Sequence, residues 1–282
     1  MNEQISRLFE FRRLEDRTKS GSYSKVVSVC SGKGGTGKTF FSLNFAYQLS
    51  RNNKKVLIVD LDLNFSNLHL LLNHTTEKPL SNFFLHKYTL HEIIFKYTDN
   101  LHFIFGESGL SGQPKIGKDL VDYFFMQLDK IAPRYDIIIL DSAAGSDEAT
   151  LQQLSRSDYN IVVASPEPTA VMDAYVLFKM IVENSDHYKN FLVVNKTENK
   201  DDGESAYQNL STAVRHFLKS EITLLGTIAS DRNVYKSILE QDILMKTYPN
   251  SLAALEISEL TRRFLKITQM ANNNQSLIFT LF

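Results

Sequence analysis

The sequence predicts an α/β fold: one doubly wound, mostly parallel sheet flanked by helices. Seven short apolar runs predict its strands: Val26–Cys30, Val56–Asp60, Phe103–Phe105, Ile137–Leu140, Ile161–Ala164, Leu192–Val194 and Leu224–Ile228. Several are apolar throughout rather than alternating, as strands covered on both faces are. Longer segments with helical spacing separate them, and that alternation implies right-handed crossovers between parallel strands. With 43% hydrophobic residues among 282, the chain can bury a core of this kind.

The elements follow in order. Residues 1–24 read as an N-terminal segment ending in a linker, SGSYS, at Ser20–Ser24. Residues 25–271 carry the sheet and its helices. Phe41, Phe45, Ala46 and Leu49 share one helical face after the first strand, as do Leu120, Phe124, Leu128 and Ile131 further on. Asn199–Glu204 (NKDDGE) reads as a polar surface loop. Leu252–Ala271 is amphipathic, and Asn272–Gln275 is expected to separate it from an apolar end, Ser276–Phe282 (SLIFTLF). That end, within a tail of residues 272–282, packs as an edge strand or as a dimer contact, or dips into lipid.

Charge and cysteine content exclude several classes. Lys plus Arg number 31 against 32 for Asp plus Glu, so no global field favours nucleic acid and no specific nucleic acid is expected. The single cysteine, Cys30, excludes an internal disulfide framework and a cysteine-held metal or iron–sulfur site within one chain. It suits a reducing cytoplasm. The charged start lacks the apolar stretch of a signal peptide, and no apolar run reaches membrane-spanning length. The seven histidines lack the i, i+4 pairing of a zinc motif and read as surface or supporting residues.

GKGGTGKT, Gly32–Thr39, carries the chemistry. It fits GxxxxGK[ST], a pattern that chance yields about 0.01 times in a chain of this size. A strand precedes it and a helix follows, as a phosphate-binding loop requires. The backbone N–H groups of Gly34, Gly35, Thr36, Gly37, Lys38, Thr39 and Phe40 are expected to converge on phosphate oxygens at a helix N-terminus. Lys38 is expected to reach the outer phosphates and the Thr39 hydroxyl to bind Mg²⁺. Asp60 and Asp62 end the second strand and Asp141 the fourth, at the sheet edge where α/β folds bind ligands. Carboxylates there can hold Mg²⁺ and orient water; a turn cap is the lesser alternative for Asp62.

These motifs resemble the MinD/ParA family, deviant Walker A P-loop ATPases with a SIMIBI-like fold. KGGTGKT places Lys33 on the family's early lysine. VDLDLNFSNLHLLL resembles the first switch, with Asn64 and His69 departing from the usual glycine and aspartate. YDIIILDSAAGSDE resembles the Walker B strand and second switch, with Gly145 on its glycine. FLVVNK places Asn195 where an asparagine meets adenine; Lys196 and Glu198 give it a faint likeness to the guanine-reading motif of GTPases. The resemblance implies ATP and Mg²⁺ as cofactors, an ATP-dependent homodimer crossed by Lys33, and slow hydrolysis. The implied roles are catalytic for Lys33, Lys38 and Asp62, and metal-binding for Thr39, Asp60 and Asp141.

Two stretches resemble the FlhG/FleN branch, which regulates flagellar number. These are SPEPTAVMDAYVLFKMI, Ser165–Ile181, and NEQISRLFEF, Asn2–Phe11. The second is similar to an activator motif for an FlhF-like GTPase, so the resemblance implies such a partner through residues 2–11, although the segment could pack on its own domain instead. The branch also implies peripheral membrane association of a cytoplasmic protein; the face Leu260, Phe264 and Ile267, flanked by Arg262, Arg263 and Lys266, could serve that or be an ordinary core helix. A DNA-binding partition ATPase and a non-hydrolysing scaffold are the alternatives.

Overall fold

The computed structural model describes residues 24–63, 65–106, 117–184 and 189–279. The N-terminal segment 2–11, Asn64, His187 and residues 280–282 lie outside them.

Eight strands form one sheet in these residues: β1 (Lys25–Ser31), β2 (Val56–Asp60), β3 (Phe95–Lys96), β4 (Leu101–Ile104), β5 (Ile137–Ala144), β6 (Tyr159–Ala164), β7 (Lys189–Thr197) and β8 (Thr223–Ala229). Their order is β3-β4-β2-β5-β1-β6-β7-β8. All pairs are parallel except β3 with β4. Helices α1 (Lys38–Arg51), α2 (Leu80–Phe84), α3 (Lys118–Ile131), α4 (Glu148–Ser155), α5 (Pro168–Asn184), α6 (Lys200–Ala213), α7 (Arg232–Leu239), α8 (Leu244–Thr247) and α9 (Leu252–Phe279) connect and cover it.

Side-chain alternation divides the core. Val27, Val29, Ile58, Ile139, Ile161 and Val193 face α1, α8 and α9. Leu57, Val59, Ile138 and Leu140 face α2 and α3 on the other side. Cys30, Val162, Leu192 and Val194 share that second side with α4, α5 and α6. The continuous apolar runs follow from this: each strand is covered twice.

The structure corrects two expectations and decides a third between its two readings. Asn199 is not in a polar loop but caps α6: its side chain accepts from the Asp202 N–H, and Asp202 accepts from the Asn199 N–H in return. The short polar residues that suggest a loop also begin helices. Asn272–Gln275 does not break the last helix, which continues to Phe279, so Ser276–Phe279 is helix rather than edge strand. Asn and Gln cost a helix only a few tenths of a kcal/mol each, and no glycine or proline stops this one. Leu260 and Phe264 point into the core, with Ile267 packed against it, so the basic-flanked face is a core face. No helix among the described residues is long and apolar enough to cross a membrane.

Candidate functional site

β1 ends at Ser31, and Gly32–Gly37 turns the chain into α1. Gly35 and Gly37 have φ of 81° and 89°, conformations that glycine adopts without a Cβ penalty. A Cβ on Gly37 would collide with the Asn195 side-chain nitrogen, and one on Gly32 with the Asp173 backbone, whereas Gly34 faces open space. No side chain caps α1. Its unpaired first N–H groups and its positive dipole end therefore form an anion site within the loop.

β7 holds this loop from the side. Asn195 Nδ2 donates to the Thr36 carbonyl and Lys196 Nζ to the Gly35 carbonyl, each at 2.8 Å. Lys196 adopts φ 62° to do so, a left-handed conformation costing about 1 kcal/mol. Across the loop, the Gly145 N–H donates to the Ser31 carbonyl at 2.9 Å. The Thr36 hydroxyl is buried without a hydrogen-bond partner in the structure. Phe40 turns its ring into the core, leaving its backbone as the part that can serve the loop.

Beneath the loop lies a buried charge cluster. Asp60 and Asp141 stand opposite each other on β2 and β5, 1% and 0% exposed. Lys38 Nζ lies 3.2 Å from Asp141 Oδ1, which also accepts from the Ser42 hydroxyl at 2.8 Å. Asp141 Oδ2 is buried with no partner. Asp60 accepts from the Ser66 hydroxyl at 2.6 Å, the Leu68 N–H at 3.2 Å and the Asp62 N–H at 3.1 Å. Burial, aided by the Asp141 charge, pushes the Asp60 carboxyl up to about 7, although Ser66, Lys38 and the Leu68 N–H oppose the shift. Burial works against the Lys38 charge, but Asp141, Asp60 and Asp62 outweigh it and raise its pKa.

This cluster fits a hard, oxygen-seeking divalent cation. One oxygen of Asp141 has no partner, and the Thr39 hydroxyl lies 3.4 Å from Lys38 Nζ at the same mouth. The described residues contain no cluster of three or more His, Cys, Asp or Glu side chains for a metal. That suits Mg²⁺, which is commonly held by one or two carboxylates with phosphates and water.

Two expected site residues have side chains engaged in other contacts. Asp62 Oδ1 accepts from the Phe65 N–H at 3.0 Å, a turn-capping bond. Lys33 Nζ reaches Glu167 Oε2 and Thr169 Oγ1, each at 3.1 Å, beside the start of α5. That pair is 37% and 63% exposed, so it contributes at most about 1 kcal/mol.

A family model for an AAA domain matches residues 24–194, more than half of the chain. The chain belongs to this family, as a MinD/ParA-type P-loop ATPase. It is similar to the flagellum site-determining protein YlxH of Helicobacter pylori, 29% identical over 92% of this chain and 89% of that protein. It is also similar to the antiactivator FleN of Pseudomonas aeruginosa, 23% identical over 85% of each. Among solved structures, the septum site-determining protein MinD of Pyrococcus horikoshii, complexed with Mg-ADP, aligns with TM-score 0.75 at 22% identity, covering 88% of this chain and 98% of that one. That likeness carries the fold.

In this MinD/ParA-type chain, sequence reasoning missed Ser42 and Ser66, and it read Lys196 only as part of a faint GTPase likeness, without its bond to the loop. Ser42 lies three residues after Thr39, one turn along the same helix face, and that spacing was its one available signal.

Proposed function

We propose that this MinD/ParA-type chain is a slow ATP hydrolase that works as a dimeric switch governing flagellar number or placement. The observation that carries the reading is the Lys38–Asp141 pair at the mouth of Gly32–Thr39, with one buried Asp141 oxygen left unpaired. The backbone of Gly34–Phe40 and the Lys38 ammonium bind the phosphates, and Asn195 borders the base. Thr39, Asp60 and Asp141 hold Mg²⁺, which when bound supplies neutralising charge to the outer phosphate oxygens. Asp62 gives up its Phe65 cap and orients water. Lys33 leaves Glu167 and Thr169 and reaches the partner's nucleotide; losing one exposed pair is a small cost. The names of YlxH and FleN support the flagellar output. Residues 2–11 are the proposed contact for an FlhF-like GTPase.

The test measures size in solution and phosphate release with Mg-ATP. Wild type should release phosphate slowly, while Asp62→Ala should stay dimeric and lose turnover by about a hundredfold or more, the scale for losing a positioned proton acceptor. An Asp62→Ala protein that remains monomeric under saturating ATP would overturn the dimer mechanism. Deleting residues 2–11 should abolish stimulation of the GTPase and leave ATP binding intact.

A further inference from the structure

The opposite edge of the sheet holds a second cavity. The starts of β2, β4 and β5, with edge strand β3, border a cleft of about 660 Å³. Lys55 lies there, immediately before β2 and five residues before Asp60, which ends that strand, hence about 16 Å from it at ~3.3 Å per residue. The cleft is therefore separate from the phosphate loop.

Its wall is cationic. Lys55, Lys96 and Arg134 line it against one carboxylate, Asp136. Asp136 is already engaged, accepting the Lys55 N–H at 2.7 Å. None of the three cationic side chains has an ion-pair or hydrogen-bond partner among the described residues. An adjoining hollow of about 540 Å³ shares Lys55 and Lys96 and adds Asp99.

Polar groups sit between the cations. His102 Nδ1 and the Tyr135 hydroxyl are 2.9 Å apart. The His102 pKa is lowered by burial first and then by the charges of Lys96 and Lys55, with Asp99 opposing. The positive potential of both lysines therefore reaches the cleft wall. Burial pushes Tyr135 up to about 12 against the pull of Arg134, so it stays a neutral hydroxyl. Ile94 and Pro133 supply apolar wall for a carbon skeleton.

We propose that this cleft binds a phosphomonoester dianion, held by Lys55, Lys96 and Arg134. Its volume lies within the range of small-molecule sites. A doubly charged ester offsets the surplus of three cations over one carboxylate. An arginine fork matches phosphate oxygens, and ammonium groups add point charges. The ester belongs to a soluble phosphorylated metabolite or to an anionic lipid headgroup, which present the same oxygens.

His102 is a local reporter. In histidine-labelled protein at fixed ionic strength, glycerol 3-phosphate should raise the His102 pKa saturably, because a bound dianion offsets Lys96 and Lys55. The response should survive Lys38→Ala, which removes a phosphate-loop cation, and vanish when Lys55, Lys96 and Arg134 are all changed to Ala. Arg134→Gln alone should weaken binding about tenfold, the scale of one charge-assisted contact. Unaltered melting of these variants separates lost binding from lost folding, and variants that melt early are replaced by Lys96→Gln. An absent or non-saturable shift, an equal shift with sodium sulfate at matched ionic strength, or a shift retained in the triple variant overturns the proposal. Sedimentation with phosphatidylcholine vesicles, with and without phosphatidic acid, separates the sources. Capture by phosphatidic acid that needs the three cations assigns a lipid headgroup, and saturation without capture assigns a soluble ester.

Discussion

Asp60 and Asp141 are two carboxylates placed side by side out of water, and only Lys38 and hydroxyl or N–H donors answer them. The Asp60 carboxyl rises from 3.8 to about 7 in the folded chain, so the folded state holds a proton that the unfolded chain releases. Its contribution to stability is complete below about pH 4 and is lost as pH rises through 7. At about 1.4 kcal/mol per unit, this removes a few kcal/mol across the window. Thermal melts of nucleotide-free protein at pH 5 and pH 8 test this: wild type should lose more between them than Asp60→Asn, and parallel losses would refute it. At this scale the sequence was partly legible. Lys38, Thr39, Asp60 and Asp141 are visible because fixed spacing ties each to a strand end or helix start. Ser42 and Ser66 were not, since serine serves caps and surfaces equally well. The Lys33–Glu167 contact joins residues 134 positions apart, and no local pattern encodes such a meeting.

Among elements, the glycine loop separates two requirements that the motif merges. Gly32→Ala should destabilise the free protein, because its Cβ enters the Asp173 backbone at the β1–α5 contact; clashes of this kind cost about 1–3 kcal/mol. Gly34→Ala meets open space and should melt like wild type, yet weaken ATP binding, since the new methyl group would stand where phosphate approaches. Melting curves and nucleotide titrations of both variants test this, and equal melting of the two would overturn it. Elements with long periodic patterns were legible, as the buried face of α1 shows. β3 has two residues, too few for any periodicity. The start of α6 was misread because capping residues and loop residues are the same types.

At the scale of the whole molecule, α9 closes the sheet. Phe264 meets Phe45, Tyr159 and Phe191 edge-on, with ring centres 5.3, 5.6 and 5.9 Å away. It thereby joins the last helix to α1 and to two central strands. Phe264→Ala should cost about 3–5 kcal/mol, a fall of roughly 10 °C in Tm for a chain of this size; a fall of only one or two degrees would place α9 outside the cooperative unit. The parallel, doubly covered character of the sheet was legible because both faces are apolar in several of its strands. Strand order was not, because an apolar strand pairs equally well with several neighbours, and long-range contacts decide among them. The clamp by which β7 grips the Gly35 and Thr36 carbonyls has a consequence for signalling. A loop shaped by its own strand is ordered before any ligand arrives, so capture of phosphate carries little entropic penalty. A part with one shape transmits no message: whatever distinguishes the loaded from the empty molecule must arise in segments with two available arrangements. Asp62, whose side chain is held by a turn cap, and Lys33, tied by an exposed side-chain pair, are bound less firmly than the loop itself.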